Sequence, residues 1–139
     1  MEEFESFFQN EGVGGLGLNY LYLNKLEKAI ENLEKRKDIP LISSYLAIAY
    51  TKNGQIQKAQ PLVDRLKLIS EENAATSPEY SLGLYYSGIG QKEEALDWLE
   101  RAYDSHDSEL SWLKTEPMFK ILHGDPRYEE LLRKIGFPE

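Results

Sequence analysis

A short phrase that recurs three times along the chain constrains its fold more than any other feature. The phrase is a leucine, a small residue and then a tyrosine: Leu16-Gly17-x-x-Tyr20, Leu46-Ala47-x-x-Tyr50 and Leu82-Gly83-x-x-Tyr86. An alanine follows each phrase downstream, at Ala29, Ala59 and Ala95. Residues spaced by three or four lie on one face of an α-helix, and the alanine begins a second such face. The pattern therefore predicts a helical hairpin that is repeated along the chain.

The spacing of the units predicts where the hairpins are regular. The second and third units match at one offset of 36 residues: Ala47 with Gly83, Tyr50 with Tyr86, Gly54 with Gly90 and Ala59 with Ala95. The first unit precedes the second by only 30 residues, so we expect its second helix, or the turn at residues 37–40, to be shortened. Small residues such as Gly83 predict close packing, because each leaves room for a bulky neighbour on the facing helix. Pro61 predicts a helix that begins near Ile56 or Gln57, because proline is tolerated near a helix start.

These units resemble the tetratricopeptide repeat (TPR), and the resemblance covers roughly residues 11–106. The chain departs from the family pattern at the early large position of the first helix, which is Val13, Ser43 and Glu79 here, and the second and third units lack the closing proline. The resemblance implies an all-α fold, a right-handed α-α superhelix of about three TPR-like helical hairpins. We divide the single domain 1–139 into an N-terminal cap helix (1–12), repeats 1 to 3 (13–40, 41–76 and 77–108) and a C-terminal cap (109–139).

The two ends of the chain are predicted to cap this array. Phe4, Phe7 and Phe8 follow helical spacing and predict a short helix whose aromatic face packs on the first repeat. Near the other end, Glu116-Pro117 and Asp125-Pro126 each place a polar residue before a proline, which is typical of a helix start. The C-terminal series resembles the closing segment of many bacterial TPR proteins. That resemblance implies a C-terminal module of a larger signalling or transcriptional protein.

Composition and charge narrow the classes of partner. With 24 acidic and 16 basic residues the net charge is −8, which repels phosphate backbones and anionic lipid surfaces, so we expect neither nucleic acid nor membrane as a partner. The chain has no cysteine, and Met1 is followed by acidic residues rather than by a basic and then an apolar segment. These features are compatible with a cytoplasmic protein, which is our expectation for localisation.

The sequence contains three arrangements that resemble chemical sites, and we expect none of them to be one. Residues 12–17 satisfy the glycine spacing of a dinucleotide-binding loop, but the flanking pattern is helical, so we expect a hinge before the first repeat. His106 and His123 lie on separate predicted turns and lack the spacing of a metal site. Asp104-Ser105-His106 holds the residue types of a hydrolase triad, but neighbours in sequence do not form its hydrogen-bond chain. We therefore predict no catalytic residue, no cofactor, no metal and no enzymatic activity.

The resemblance places a candidate peptide-binding groove along the first helix of each hairpin, on the concave side of the array. The groove residues are Leu18, Leu21, Tyr22, Ile48, Thr51, Lys52, Tyr80, Leu84 and Ser87. The alternative is that the aliphatic members of this set are buried by neighbouring helices or by the phenylalanine-rich N-terminal segment.

Two functions remain open from the sequence. The first is a non-catalytic scaffold that binds a protein or peptide in its groove, with Tyr22 and Tyr80 as anchors and Lys52 as a polar selector. The second is a self-associating or structural and regulatory module, which allows a homo-oligomer.

Overall fold

The computed structural model describes residues 13–72 and 78–136, apart from the side chains of residues 13 and 14. The predicted N-terminal helix with Phe4, Phe7 and Phe8 lies outside these ranges, as does Pro138. Within them the fold is all-helical and contains no strand, so the predicted all-α class is confirmed.

The described residues form seven α-helices and three 3₁₀ helices. The α-helices are α1 (Val13–Tyr22), α2 (Leu26–Leu33), α3 (Pro40–Lys52), α4 (Ile56–Glu72), α5 (Glu79–Gly88), α6 (Lys92–Asp104) and α7 (Pro126–Ile135). The 3₁₀ helices are η1 (Glu34–Arg36), η2 (Ser108–Trp112) and η3 (Pro117–Leu122). Helices α1 and α2, α3 and α4, and α5 and α6 pack as successive pairs. The short turns within these pairs make each one a helical hairpin.

Small residues allow the helices of a hairpin to approach closely, as the sequence predicted. A Cβ atom added to Gly83 would lie 2.8 Å from Leu99 of the facing helix, and one added to Gly17 would lie 2.8 Å from Leu33. A third close approach joins two hairpins, because a Cβ on Gly88 would lie 2.6 Å from Ile48 of α3. The missing side chains therefore determine how near the helices lie, both within and between hairpins.

Helices α1, α3 and α5 lie side by side, and α3 contacts both of the others. Every residue of α3 from Leu41 to Tyr50 is buried, including Ser43 and Ser44. A helix buried on all sides needs neighbours on more than one face. Its neighbours include α2, α4 and η1 in addition to α1 and α5.

The first hairpin is irregular where the spacing predicted it. Helix α2 has 8 residues and ends in η1, whereas α4 has 17 residues and α6 has 13. Helix α4 begins at Ile56 as expected, but Pro61 is the sixth residue of that helix and not in its first turn. The proline therefore removes a hydrogen bond that a backbone N–H at this position would donate to the carbonyl of Gln57.

The hinge expected before the first repeat lies outside the described residues, which begin at residue 13. Helix α1 begins at Val13, so Gly14, Gly15 and Gly17 belong to the helix. Gly17 is a packing residue against Leu33, which accounts for it without a nucleotide loop.

Two helices of the C-terminal part, η3 and α7, begin at the predicted prolines. The carboxylate of Glu116 accepts a hydrogen bond from the N–H of Met118 at 2.9 Å, and that of Asp125 accepts one from the N–H of Arg127 at 2.9 Å. These carboxylates cap η3 and α7, each of which begins with proline. Gly136 ends α7 in the left-handed conformation, with φ of 98°.

Candidate functional site

The chain folds its own C-terminal part onto the first helices of the hairpins. We define the docked segment as residues 107–123, which include η2 and η3, and the docking face as Tyr22 of α1, Tyr45 of α3, and Tyr80 and Ser87 of α5. Each of these four residues makes a hydrogen bond or ring contact with the docked segment. Three separate helices therefore hold one short stretch of chain.

The central contact is a buried carboxylate. The side chain of Glu116 is 1% exposed. Tyr22 donates its hydroxyl hydrogen bond to Oε1 of Glu116, and Tyr45 donates to Oε2. Oε1 also accepts from the N–H of Met118. Burial raises the pKa of Glu116, and these hydrogen bonds to the charged form partly offset that effect.

An aromatic contact and a backbone contact accompany the carboxylate. The ring of Phe119 is fully buried and packs edge-on against Tyr80, with the ring centroids 5.6 Å apart at an interplanar angle of 76°. Ser87 donates its hydroxyl to the carbonyl oxygen of Met118 at 2.6 Å. The face thus contacts a carboxylate, a ring and a backbone carbonyl within four consecutive residues.

The start of the docked segment brings acidic groups together. Asp107 Oδ2 accepts a hydrogen bond from the N–H of Tyr80 at 3.3 Å, and Oδ1 accepts one from the N–H of Glu109 at 3.0 Å. Burial and the nearby charge of Asp107 raise the pKa of Glu109 to about 7. Burial also raises the pKa of Asp107 and of Glu79, the first residue of α5. The docked segment therefore holds Asp107 and Glu109 partly away from water, which costs free energy.

One polar group of the docking face is not satisfied. The hydroxyl of Tyr80 is buried and has no hydrogen-bond partner among the described residues. A buried hydroxyl without a partner costs roughly 1–3 kcal/mol. The docked arrangement is consequently less stable than the same packing with an apolar ring.

The nine predicted groove residues fall into three groups in the structure. Leu18, Leu21, Ile48 and Leu84 are buried in the hydrophobic core, which corresponds to the alternative in which the chain itself covers them. Tyr22, Tyr80 and Ser87 contact the docked segment. Thr51 is half-buried and donates to the carbonyl of Ala47 at 2.9 Å, and Lys52 is exposed at the end of α3. Peptide binding at these positions stays a prediction, and it requires the docked segment to move.

Tyr45, Glu116 and Phe119 contribute to this site and are absent from the predicted groove. The sequence contained a signal for two of them, since Glu116-Pro117 marks a helix start and Phe119 follows three residues later. No sequence signal marked Tyr45 as part of this site. It is one of the buried residues of α3, and its position is typical of a core aromatic residue.

Neither histidine singled out in the sequence makes a contact with the docking face that the structure records among its hydrogen bonds and ring contacts in the described residues. His106 is exposed in the turn after α6, with φ of 60°, and His123 ends η3 with its ring stacked on Tyr128 at 5.3 Å. In the part of the chain that the structure describes, no group of three or more histidine, cysteine or acidic residues is placed to hold a metal ion. No helix in residues 13–72 or 78–136 combines the length and the apolar character needed to cross a membrane.

Comparisons of this chain with protein-family models, with curated proteins and with solved structures find no match. The geometry of the docking face is therefore the basis for assigning a function.

Proposed function

We propose that this protein is a non-catalytic protein-interaction module of TPR-like helical hairpins, which binds a peptide or helix of a partner on the face of α1, α3 and α5. The observation that carries the proposal is the docked segment itself. Ser87, Tyr22 and Tyr45 hold a short non-α segment by a backbone carbonyl and a carboxylate. Backbone contacts for affinity and side-chain pockets for specificity are the usual means of peptide recognition.

Burial of Leu110, Leu113, Phe119 and Leu122 in the core stabilises the docked segment, whereas its buried polar groups favour exchange of the occupant. The docked segment buries the carboxylate of Glu116, raises the pKa of Glu109 and leaves the hydroxyl of Tyr80 without a partner in the described residues. Each of these features lowers the stability of the docked state. In this proposal a partner binds by displacing the segment, which is held less firmly than an all-apolar cap would be.

A reversible lock on the docked segment tests this function. The chain contains no cysteine, so the double variant Ser87→Cys/Met118→Cys introduces the only two thiols, at residues joined by the hydrogen bond from the Ser87 hydroxyl to the Met118 backbone carbonyl. Oxidation should join the segment to α5, and mass spectrometry reports the bond. We expect proteins of a source lysate to be retained by the reduced variant and lost from the oxidised one. Equal retention in both states contradicts the proposal, and the wild-type chain under both conditions controls for redox effects on the lysate.

The alternative function is self-association by exchange of the docked segment between two copies. It is favoured by the position of the segment after the short turn at residues 105–107, where His106 adopts a left-handed conformation. The same double variant separates the alternatives on a non-reducing gel. An exchanged pair gives disulfide-linked dimers, whereas a self-docked chain gives cross-linked monomers.

A further inference from the structure

We propose that the docking face recognises one class of partner segment, a polypeptide stretch with glutamate directly before proline and an aromatic residue three positions after the glutamate. This inference rests on the proposed interaction function and names its ligand. The chain's own residues Glu116-Pro117-Met118-Phe119 occupy the face as a competitor of the same chemistry. The proposed occupant is a segment of a different protein with the pattern Glu-Pro-x-aromatic, because such a segment can make the contacts that residues 116–119 make here.

The carboxylate is the first requirement. Tyr22 and Tyr45 belong to helices separated in the sequence, and their hydroxyls donate to different oxygens of Glu116. A glutamine offers one carbonyl oxygen and an NH₂ group in place of two acceptor oxygens, so it cannot accept both hydrogen bonds equally. Aspartate is shorter by one methylene group and does not extend as far from the same backbone position. The site therefore selects glutamate.

The proline and the aromatic residue are the second and third requirements. Glu116 has the extended backbone, with φ of −70° and ψ of 119°, that is preferred before a proline, and Pro117 begins η3. In a 3₁₀ helix, side chains three positions apart lie on the same side. Glu116 and Phe119 consequently face the docking face together, one on the tyrosine hydroxyls and the other on the ring of Tyr80.

The docking face contacts the residue between the proline and the aromatic position through that residue's backbone. Ser87 donates to the carbonyl oxygen of Met118, a group that every amino acid has, and the Met118 side chain is only half-buried. Other side chains fit at this position, so the recognised pattern contains one open place.

The chain's own segment is tethered, and its local concentration near the face is in the millimolar range for a short connection. A partner segment therefore binds the wild-type chain weakly, and it binds strongly once the internal competitor is weakened. The full chain with Glu116→Ala removes the carboxylate of the competitor and leaves the hydroxyls of Tyr22 and Tyr45 to donate to an external carboxylate. This variant separates ligand recognition from self-occupation.

The test is fluorescence anisotropy with a labelled peptide of the sequence of residues 112–123 and a second peptide that carries the Glu116→Gln change. We expect the first peptide to bind full-length Glu116→Ala roughly tenfold or more tighter than it binds the wild-type chain, and tighter than the second peptide by a similar factor. Adding Tyr45→Phe to the protein should reduce the preference for glutamate over glutamine. The matched control is Tyr86→Phe, because the ring of Tyr86 packs against Tyr85. This change should leave the preference for glutamate over glutamine unchanged.

Several outcomes overturn the inference. Equal affinity for the two peptides rejects the glutamate requirement while peptide binding on this face survives. Absence of binding to a Glu116→Ala chain with normal helicity by circular dichroism rejects the ligand class, and the disulfide lock then tests the interaction function separately. If Glu116→Ala does not fold, the isosteric Glu116→Gln chain takes its place with the same expected preference. A wild-type chain that forms dimers, which Tyr45→Phe abolishes, makes the occupant a second copy of the chain and also rejects the inference.

Discussion

Tyr45 and Tyr80 are both fully buried against the docked segment, yet only the hydroxyl of Tyr45 donates to Glu116. The hydroxyl of Tyr80 has no partner among the described residues. Two tyrosines on neighbouring helices, α3 and α5, thus meet the same segment in opposite states of hydrogen bonding. This difference gives the most direct experimental measure of how the segment is held.

We expect Tyr45→Phe and Tyr80→Phe to change stability in opposite directions. Tyr45→Phe leaves the buried carboxylate of Glu116 without one of its donors and should lower the free energy of unfolding by about 1–3 kcal/mol. Tyr80→Phe removes a hydroxyl that is buried without a hydrogen bond among the described residues. It should therefore leave the free energy of unfolding unchanged or raise it. Urea denaturation of both variants measures the difference. Equal destabilisation of the two would contradict the assigned hydrogen bonding.

Close packing within the third hairpin predicts a compensating pair of substitutions. Gly83→Val places atoms at a position where a Cβ already lies 2.8 Å from Leu99, so it should cost roughly 1–3 kcal/mol or more. In a Leu99→Ala background the same change should cost much less, because the cavity accepts the new side chain. A double-mutant cycle from thermal melts measures the coupling. Additive effects would show that Gly83 and Leu99 do not limit the approach of α5 and α6.

Pro61 predicts a stabilising substitution. It lies in the second turn of α4, is exposed and lacks the N–H that would bond to the carbonyl of Gln57. Pro61→Ala should therefore raise the free energy of unfolding, by about 1–3 kcal/mol, because proline in a helix interior costs about 3 kcal/mol. Pro126→Ala is the control, because Pro126 is the first residue of α7 and loses no such bond. A lower melting temperature for Pro61→Ala would sink this expectation.

Glu109 predicts a pH dependence of stability. Its pKa is raised from an ordinary value of 4.5 to about 7, so the native state binds the proton more tightly than the unfolded state. The stabilising contribution is complete below pH 4.5 and is lost as the pH rises through 7. Glu109→Gln should match the wild type near pH 4.5 and exceed it above pH 7, by roughly 3 kcal/mol at most.

Denaturation at a series of pH values measures this gap between Glu109→Gln and the wild type. The control is Glu31→Gln on the exposed surface of α2, which should shift stability by a small amount that does not vary with pH. A constant gap for Glu109→Gln would mean that its carboxyl group is exposed to water in solution.

The hairpins could be predicted from the sequence because their signals are local. A leucine, a small residue and a tyrosine at helical spacing determine one face of a helix, and Gly54 and Gly90 mark the turns, where φ is 77° and 87°. The starts at Pro117 and Pro126 were predictable for the same reason, since proline and a preceding carboxylate act within a few residues. Gly17 was predictable as the small packing residue of the first unit, and in the structure it lies against Leu33 of the facing helix.

Only the tertiary structure decided what covers the face of the first helices. Glu116 lies 94 residues from Tyr22 and 71 residues from Tyr45 in the chain, and no local pattern relates them. By itself the sequence determined the helical hairpins and the starts of η3 and α7, because helical periodicity and capping depend on near neighbours. The contact between the Glu116 carboxylate and the two tyrosine hydroxyls depends on how the three hairpins stack and on where the docked segment packs against them. A carboxylate that is removed from water is stable only when hydrogen-bond donors replace the water, and the hydroxyls of Tyr22 and Tyr45 are donors to Glu116.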